Sequence, residues 1–325
     1  MKELYAGIDL HSRNNFTGVM DKDFKRVFGK RLNNDISVIL AALEPFRSEL
    51  QGIVVESTYN WYWLVDGLMD AGYGCVHLAN PSAIKQYEGL KHVDDRHDAF
   101  WLAHLLSLGI LQEGYIYPKE DRPVRDLLRK RSFLVRHRTA HILSLQSMLE
   151  RQINLKMNSN EIKQLKAGDI EELFSEEHLV LSAMASSSSI EFLGHHIKKI
   201  EEAVKKRVKL REAFKPLLTV PGIGDILALT IMLEVGDISR FPKVGDFSSY
   251  CRCVSSNRFS AGKRKGKGNA KNGNRYLSWA FIEAVHFARR FSPRLNKYYQ
   301  KKAAKTNEIV ATKALSNPPE ADQGS

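Results

Sequence analysis

Along the first 115 or so residues the apolar positions switch between two periods. Short continuous runs read as strands: Leu4 to Leu10, Gly52 to Val55 and Tyr73 to Leu78. Asn15 to Met20 and Phe24 to Arg31 follow the first run as its hairpin partners, with Asp21-Lys22-Asp23 as the polar turn. From Ile36 to Leu50 the spacing becomes helical, through Ile36, Ile39, Leu40, Leu43 and Phe46, with Asp35 as N-cap and Pro45 set to kink or end the helix. A second helix spans Trp61 to Met69 and stops at Ala71-Gly72. Beyond this half, Arg122 to Lys156 is strongly helical in character. Ser187 to Leu210 carries a 3-4 stripe of Leu193, Ile197, Ile200, Val204 and Val208, read either as an antiparallel helix pair or as an intermolecular coiled coil. Asn158 to Ser188, between them, reads as loop with short helices, and Ser316 to Ser325 as a disordered tail.

The fold class expected is α/β plus all-α. Four segments follow: 1–118 as an α/β domain, 119–212 as a helical coiled-coil region, 213–315 as a mostly helical domain, and the 316–325 tail. Three strands, helix, strand, helix, strand is the order of the RNase H/RuvC-like fold. Sugar kinases and actin-like ATPases begin the same way, but they need glycine-rich phosphate loops, and none stands between Met1 and Leu111.

Charge changes the picture. The 325-residue chain carries 49 Lys and Arg against 37 Asp and Glu, a net +12 that points to a polyanionic partner. Its three cysteines, Cys75, Cys251 and Cys253, are too few for a disulfide framework and suit a reducing compartment. Cys251 and Cys253 lack a second ligand pair at zinc-finger spacing and read as small apolar residues. With no leader-like start and no long apolar window, a cytoplasmic or nucleoid-associated protein with no membrane partner is expected.

Four acids stand where chemistry is expected. Asp9 ends the buried run Leu4-Tyr5-Ala6-Gly7-Ile8, and Glu56 ends Ile53-Val54-Val55. Strand ends of α/β sheets are where such folds hold ligands. Asp95 and Asp98 open a helical segment, three apart and so on one face; Asp94 competes with Asp95 through a one-residue slip. Together they suit hard divalent cations, Mg²⁺ or Mn²⁺, in a two-metal arrangement that clamps phosphate oxygens.

The other half carries the cations. Pro221-Gly222-Ile223-Gly224 before an apolar helix resembles a helix-hairpin-helix turn, with Gly222 and Gly224 letting backbone N–H groups approach a phosphate; a plain tight turn between core helices reads equally well. No Asp or Glu occurs between Asp246 and Glu283, a stretch holding Arg252, Arg258, Lys263, Arg264, Lys265, Lys267, Lys271 and Arg275 among glycines and asparagines. It reads as a flexible cationic loop along a phosphate backbone. Ser255, Ser256 and Ser260 beside these cations are all chemically able to attack phosphorus.

Gly7-Ile8-Asp9, Glu56-Ser57-Thr58-Tyr59, Asn80-Pro81, Asp95-Arg96-His97-Asp98-Ala99, Pro221-Gly222-Ile223-Gly224, Arg240-Phe241, Tyr250-Cys251-Arg252, Ser260 and Lys271-Asn272-Gly273-Asn274-Arg275-Tyr276-Leu277 carry a resemblance. From about Leu4 to Leu315 the chain resembles the DEDD transposases of bacterial insertion sequences (the IS-one-ten family), which include the Piv-type DNA invertases. The resemblance implies a RuvC-like first domain in which Asp9, Glu56, Asp95 and Asp98 hold Mg²⁺. It implies Ser260 as the nucleophile of a phosphoserine link to DNA. It also implies a structured bridge RNA as guide, and dimers to tetramers whose active sites pair the acids of one subunit with the serine of another. Two departures stand out: Ala261 intervenes before Gly262, where the family has glycine directly after the serine, and Ser316-Asn317-Pro318-Pro319-Glu320 replaces a further amphipathic helix. The alternatives are a hydrolytic RuvC-like nuclease such as a junction resolvase, which needs the acids but no serine, and a non-catalytic nucleic-acid-binding relative.

Overall fold

A computed structural model describes residues 2–84, 95–254, 257–260, 263–267 and 272–316. Of these, residues 82, 83, 257–260, 264, 266 and 267 are described by backbone alone. The chain divides into two compact units, Met1–Lys119 and Glu120–Ser325.

The first unit is built on a five-stranded sheet of order β3-β2-β1-β4-β5, with β1 Leu4–Leu10, β2 Asn14–Asp21, β3 Arg26–Asn33, β4 Leu50–Glu56 and β5 Val76–Ala79. The first three strands pair antiparallel as a meander; β4 and β5 add in parallel on the other side of β1. Parallel strands need crossovers, supplied by α1 (Ile36–Leu43) and α2 (Tyr62–Asp70). Asp35 caps α1 by accepting from the Ser37 N–H. The sequence suggested a helix running to Leu50; α1 instead stops at Leu43, and Glu44–Phe46 form one 3-10 turn around Pro45. α2 ends before Gly72, whose φ of +85° favours glycine.

Side chains alternate across the sheet. Leu4, Ala6, Ile8, Leu10, Ile53 and Val55 face one core, completed by Ile39, Leu43, Leu64 and Leu68 of α1 and α2. After the short α3 (Pro81–Ile84), α4 (Asp95–Ser107) packs on the other face. A row of glycines makes room for it. Gly7, Gly18 and Gly29 pair side by side across β1, β2 and β3. A Cβ on Gly7 would lie 1.9 Å from the carbonyl oxygen of Ala99, and on Gly18 or Gly29 it would press the Phe100 ring at 3.0 Å. α4 therefore seats against β1 with only Ala99 and Ala103 between them, and this contact carries its first turn to the strand ends.

The second unit begins with α5 (Arg122–Ile153), about 48 Å long at 1.5 Å per residue. The short α6 (Ser159–Ile162) and α7 (Ala167–Leu173) lead to α8 (Glu177–Arg207). Ala183, Ile190, Ile197 and Val204, every seventh residue, are buried against α5. Val204 shares a core with Val124 and Leu128, and Ala183 and Ile190 with Ile142 to Leu149, so the pair is antiparallel within one chain. α8 starts ten residues before the Ser187 expected from sequence: Glu176 caps it, and the seven-residue spacing runs on beneath the serines at 186–189.

A 3-10 helix over Glu212–Thr219 leads to α9 (Asp225–Val235), which lies in the core and is apolar between its ends except for Thr230, whose hydroxyl donates to the Ile226 carbonyl. α10 (Val244–Tyr250) and α11 (Arg275–Phe291) share its core, α12 (Pro293–Lys305) and α13 (Glu308–Ser316) pack on α11, and β6 (Asn257–Ser260) and β7 (Lys263–Lys267) pair as a hairpin. Among the described residues no helix is long and apolar enough to cross a membrane. Cys251 and Cys253 are free thiols buried in this core, and burial pushes both up in pKa.

One acid inside α9 ties the unit together. Glu234, 2% exposed, receives Arg129 Nε and Nη2 at 2.6 and 2.8 Å, Arg125 Nε at 3.1 Å and Asn274 Nδ2 at 2.7 Å. Burial alone would raise its pKa; the two guanidiniums and the amide outweigh that and hold it below the ordinary 4.5. The folded form thus binds fewer protons than the unfolded one, so the stabilisation is full above pH 4.5 and fades as pH falls through the lower, folded value. Glu234→Gln is expected to lose about 3–5 kcal/mol at pH 7 by stranding the buried Arg125 and the half-buried Arg129. Urea unfolding of mutant and wild type should converge in acid; an equal gap at every pH would contradict the ion-pair role.

Candidate metal centre

The row next to the glycines builds the site. Asp9, Phe16 and Arg31 pair across β1, β2 and β3, so Asp9 and Arg31 face the side that α4 covers. Glu56 directly follows Val55, the partner of Ile8, which brings it beside Asp9 on the neighbouring parallel strand. Asp95 and Asp98 lie in the first turn of α4. Acids are favoured at that end of a helix.

Asp9 is 2% exposed. His11 Nε2 lies 3.0 Å from Asp9 Oδ2 and 3.2 Å from Asp95 Oδ1. Arg31 Nη2 donates to Asp95 Oδ2 at 2.5 Å. Donor atoms of Asp9, His11 and Asp95 all fall within 4.8 Å of one another. The Glu56 carboxyl group lies within hydrogen-bonding reach of Asp9. Burial pushes the Asp9 carboxyl up; the Glu56 hydrogen bond and His11 pull it back, and the Asp98 and Asp95 charges push it up again. Asp95 behaves oppositely: burial raises it, but Arg31 and His11 win and hold it low.

Asp9 Oδ2 is buried without a hydrogen bond, because His11, though 3.0 Å away, is not directed along one. A buried, unsatisfied carboxylate oxygen facing further acids is costly unless a cation completes it. The donor set of carboxylates plus one imidazole fits a divalent cation, with Mn²⁺ more tolerant of the nitrogen than Mg²⁺. All four acids picked out in the sequence thus gather at one end of the sheet. Asp94, the alternative to Asp95, lies outside the described residues. Sequence reading missed His11 and Arg31. The signal for His11 was its position two residues after Asp9, on the same side of the strand; Arg31 needed the strand register.

The cationic half is more structured than the flexible loop expected. Part of it folds as the β6–β7 hairpin, with Ser260 paired to Lys263 at its end. The side chains of Arg258, Ser260, Arg264 and Lys267, and all of Ser255, Ser256 and Lys271, lie outside the described residues. Lys263 and Lys265 are exposed. Arg252, at φ +57°, donates twice to the Gly273 carbonyl, at 3.0 and 2.8 Å. The Asn274 N–H donates to the Tyr250 carbonyl at 2.6 Å, so the two ends of the cationic segment are fastened together. Arg275 donates to its neighbour Tyr276 and starts α11. Gly222, at φ +92°, packs on α11, where a Cβ would meet the Ala284 carbonyl oxygen at 2.3 Å; Gly224 is the N-cap of α9 with open space around it. Gly222 is therefore needed for helix contact, and Gly224 alone leaves room for a ligand.

Comparison with known proteins finds two matched regions, the first running past Lys119 to the end of α5. Residues 6–153 match the DEDD_Tnp_IS110 transposase family. Residues 215–300 match Transposase_20, the transposase IS116/IS110/IS902 family. Among curated proteins, the putative transposase y4qE of Sinorhizobium fredii is 23% identical over 304 residues, covering 91% of this chain and 74% of that protein. The transposase for insertion sequence element IS1111A of Coxiella burnetii is 26% identical over 216 residues, 64% of this chain and 58% of that one. The probable family 20 transposase of Pseudomonas aeruginosa is 25% identical over 231 residues, 69% of this chain and 67% of that one.

Proposed function

Because the chain belongs to the IS110/IS116 family of insertion-sequence transposases, we propose that it cuts and rejoins DNA through a phosphoserine link, using the acid cluster of an RNase H/RuvC-like first unit and Ser260 of the second. The observation that carries this reading is the meeting of Asp9, Asp95 and His11, with Glu56 and Asp98 alongside, around a buried carboxylate oxygen that lacks a hydrogen bond. Asp9, Glu56, Asp95 and Asp98 hold the divalent cation, Mg²⁺ or Mn²⁺. When bound, it supplies Lewis-acid polarisation of phosphate oxygens and a template for the reacting groups. Asp9 is fixed by the sheet and Asp95 by α4, so the ligands are set before DNA arrives.

Ser260 Oγ attacks phosphorus. The new bond joins Oγ to phosphorus, the bond from phosphorus to one deoxyribose oxygen breaks, and that oxygen leaves with a proton. Attack by a deoxyribose hydroxyl of the exchanged strand reverses the step and releases the serine, so phosphoester energy is kept and no nucleotide triphosphate is consumed. The cations of the β6–β7 segment line the phosphate backbone and offset charge developing on the phosphate. Following the family resemblance, a structured bridge RNA from the same element selects both DNAs by base pairing, and subunits assemble as dimers to tetramers so that the acids and the serine reach one phosphate.

The test is product analysis on paired donor and target plasmids with Mg²⁺ and RNA transcribed from beside the gene. Rejoined recombinant DNA is expected, dependent on both. Nicked or linear DNA alone, formed without rejoining, would replace the transposase reading by a hydrolytic nuclease.

A further inference from the structure

The acid-free segment noted in the sequence ends at Glu283, but a second begins beyond it. No Asp or Glu occurs from Ala284 to Asn307, while Arg289, Arg290, Arg294, Lys297, Lys301, Lys302 and Lys305 do. Two of these are used internally: the Arg289 guanidinium lies 3.3 Å over the Tyr299 ring, and Arg290 sits over Phe287. The others fall on α12, a helix with Pro293 in its first turn and Ser292 as N-cap, accepting from the Leu295 N–H.

On a helix of 3.6 residues per turn, Arg294, Lys297, Lys301 and Lys305 fall within roughly 80° of one another around the axis, and Tyr299 lies nearly opposite. Tyr299 is buried at 2%, which fixes the face that α12 turns inward. All four cations are exposed, and among the described residues none forms an ion pair. Four other exposed lysines, Lys22, Lys119, Lys156 and Lys215, each meet an acid, Glu3, Asp70, Glu150 and Glu212, and serve as a comparison of equal charge. Tyr298, 42% exposed, borders the stripe and adds a hydroxyl donor.

We propose that this face of α12 is a binding surface for the phosphodiester backbone of a nucleic-acid double helix, separate from the β6–β7 segment. The proposal rests on the nucleic-acid reading above. Like charges held in a row on a rigid helix repel one another; a row of phosphates relieves that and releases counterions. The stripe runs about 16 Å, close to five nucleotide steps of roughly 3.4 Å along one strand. Four point charges without a groove-reading side chain between them give affinity without sequence preference.

The experiment measures binding of the full chain to a DNA duplex and to an RNA hairpin stem of equal length across a salt series. The variant R294Q/K297Q/K301Q/K305Q is compared with the charge-matched control K22Q/K119Q/K156Q/K215Q. Each phosphate contact contributes about 0.9 to the slope of log affinity against log salt on B-DNA. The stripe variant should show a slope shallower by at least about 2 and more than tenfold weaker binding at low salt, with the control unchanged. The arm in which this occurs says whether DNA or RNA is the ligand. The half variants R294Q/K297Q and K301Q/K305Q, each with about half the effect, exclude a folding artefact. A smaller change in both arms, or an equal change in the control, overturns the proposal while leaving the transposase reading intact. If the wild type binds neither duplex, both fail together.

Discussion

Asp9→Asn should slow DNA strand cleavage by about a thousandfold or more, the equivalent of roughly 4 kcal/mol in the barrier. The size follows from position. Asp9 is the most buried member of the acid cluster, and its Oδ2 faces His11 and Asp95 without a hydrogen bond of its own. Asparagine keeps the shape and removes the charge that recruits the cation. The same change should leave the thermal midpoint of the metal-free protein unaltered or higher. Burial and the Asp98 and Asp95 charges raise the Asp9 pKa in the folded state, so its ionised form costs stability at neutral pH. Activity measured with Mg²⁺, set beside melting without it, separates the two roles. A variant that melts much earlier and cuts normally would make Asp9 a structural residue.

Ser260→Ala should abolish any covalent protein–DNA adduct while leaving nucleic-acid affinity within about twofold, since a lone hydroxyl adds little to a salt-driven interface. Ser260 ends β6, next to Lys263 across the hairpin. A denaturing gel of the protein trapped on a nicked DNA substrate reads the adduct directly. Ser255→Ala and Ser256→Ala should keep it. An adduct that survives in Ser260→Ala and disappears in either neighbour would move the nucleophile by four or five residues.

Much of the first unit was legible because its physics is local. A buried apolar run ending in an acid, as at Ile8-Asp9 and Val55-Glu56, announces both a strand and its functional end. Asp95 and Asp98 at a helix start are likewise readable from spacing. The misses are properties of pairing. Gly7, Gly18 and Gly29 look unrelated until the strand register sets them in one row beneath α4. Arg31 reaches Asp95 only because β3 is third in that row, 64 residues away in sequence. Glu234 sits where α9 reads as uniform core, and Arg125 and Arg129, its partners, lie more than 100 residues upstream. In α8 the serines at 186–189 masked a seven-residue spacing that burial makes plain. The cationic segment read as a loop because its glycines and lysines are poor strand formers, yet β6 and β7 pair across it, and Arg252 with Gly273 and Asn274 with Tyr250 close its base.

Anomalous diffraction from crystals grown with Mn²⁺ addresses the metal centre most directly. A peak is predicted in contact with Asp9 Oδ2 and an Asp95 oxygen, with Glu56 and Asp98 around it, and it should vanish in Asp9→Asn. Wild-type crystals with no peak there, or with manganese bound only elsewhere on the chain, would contradict a shared cation among these four acids.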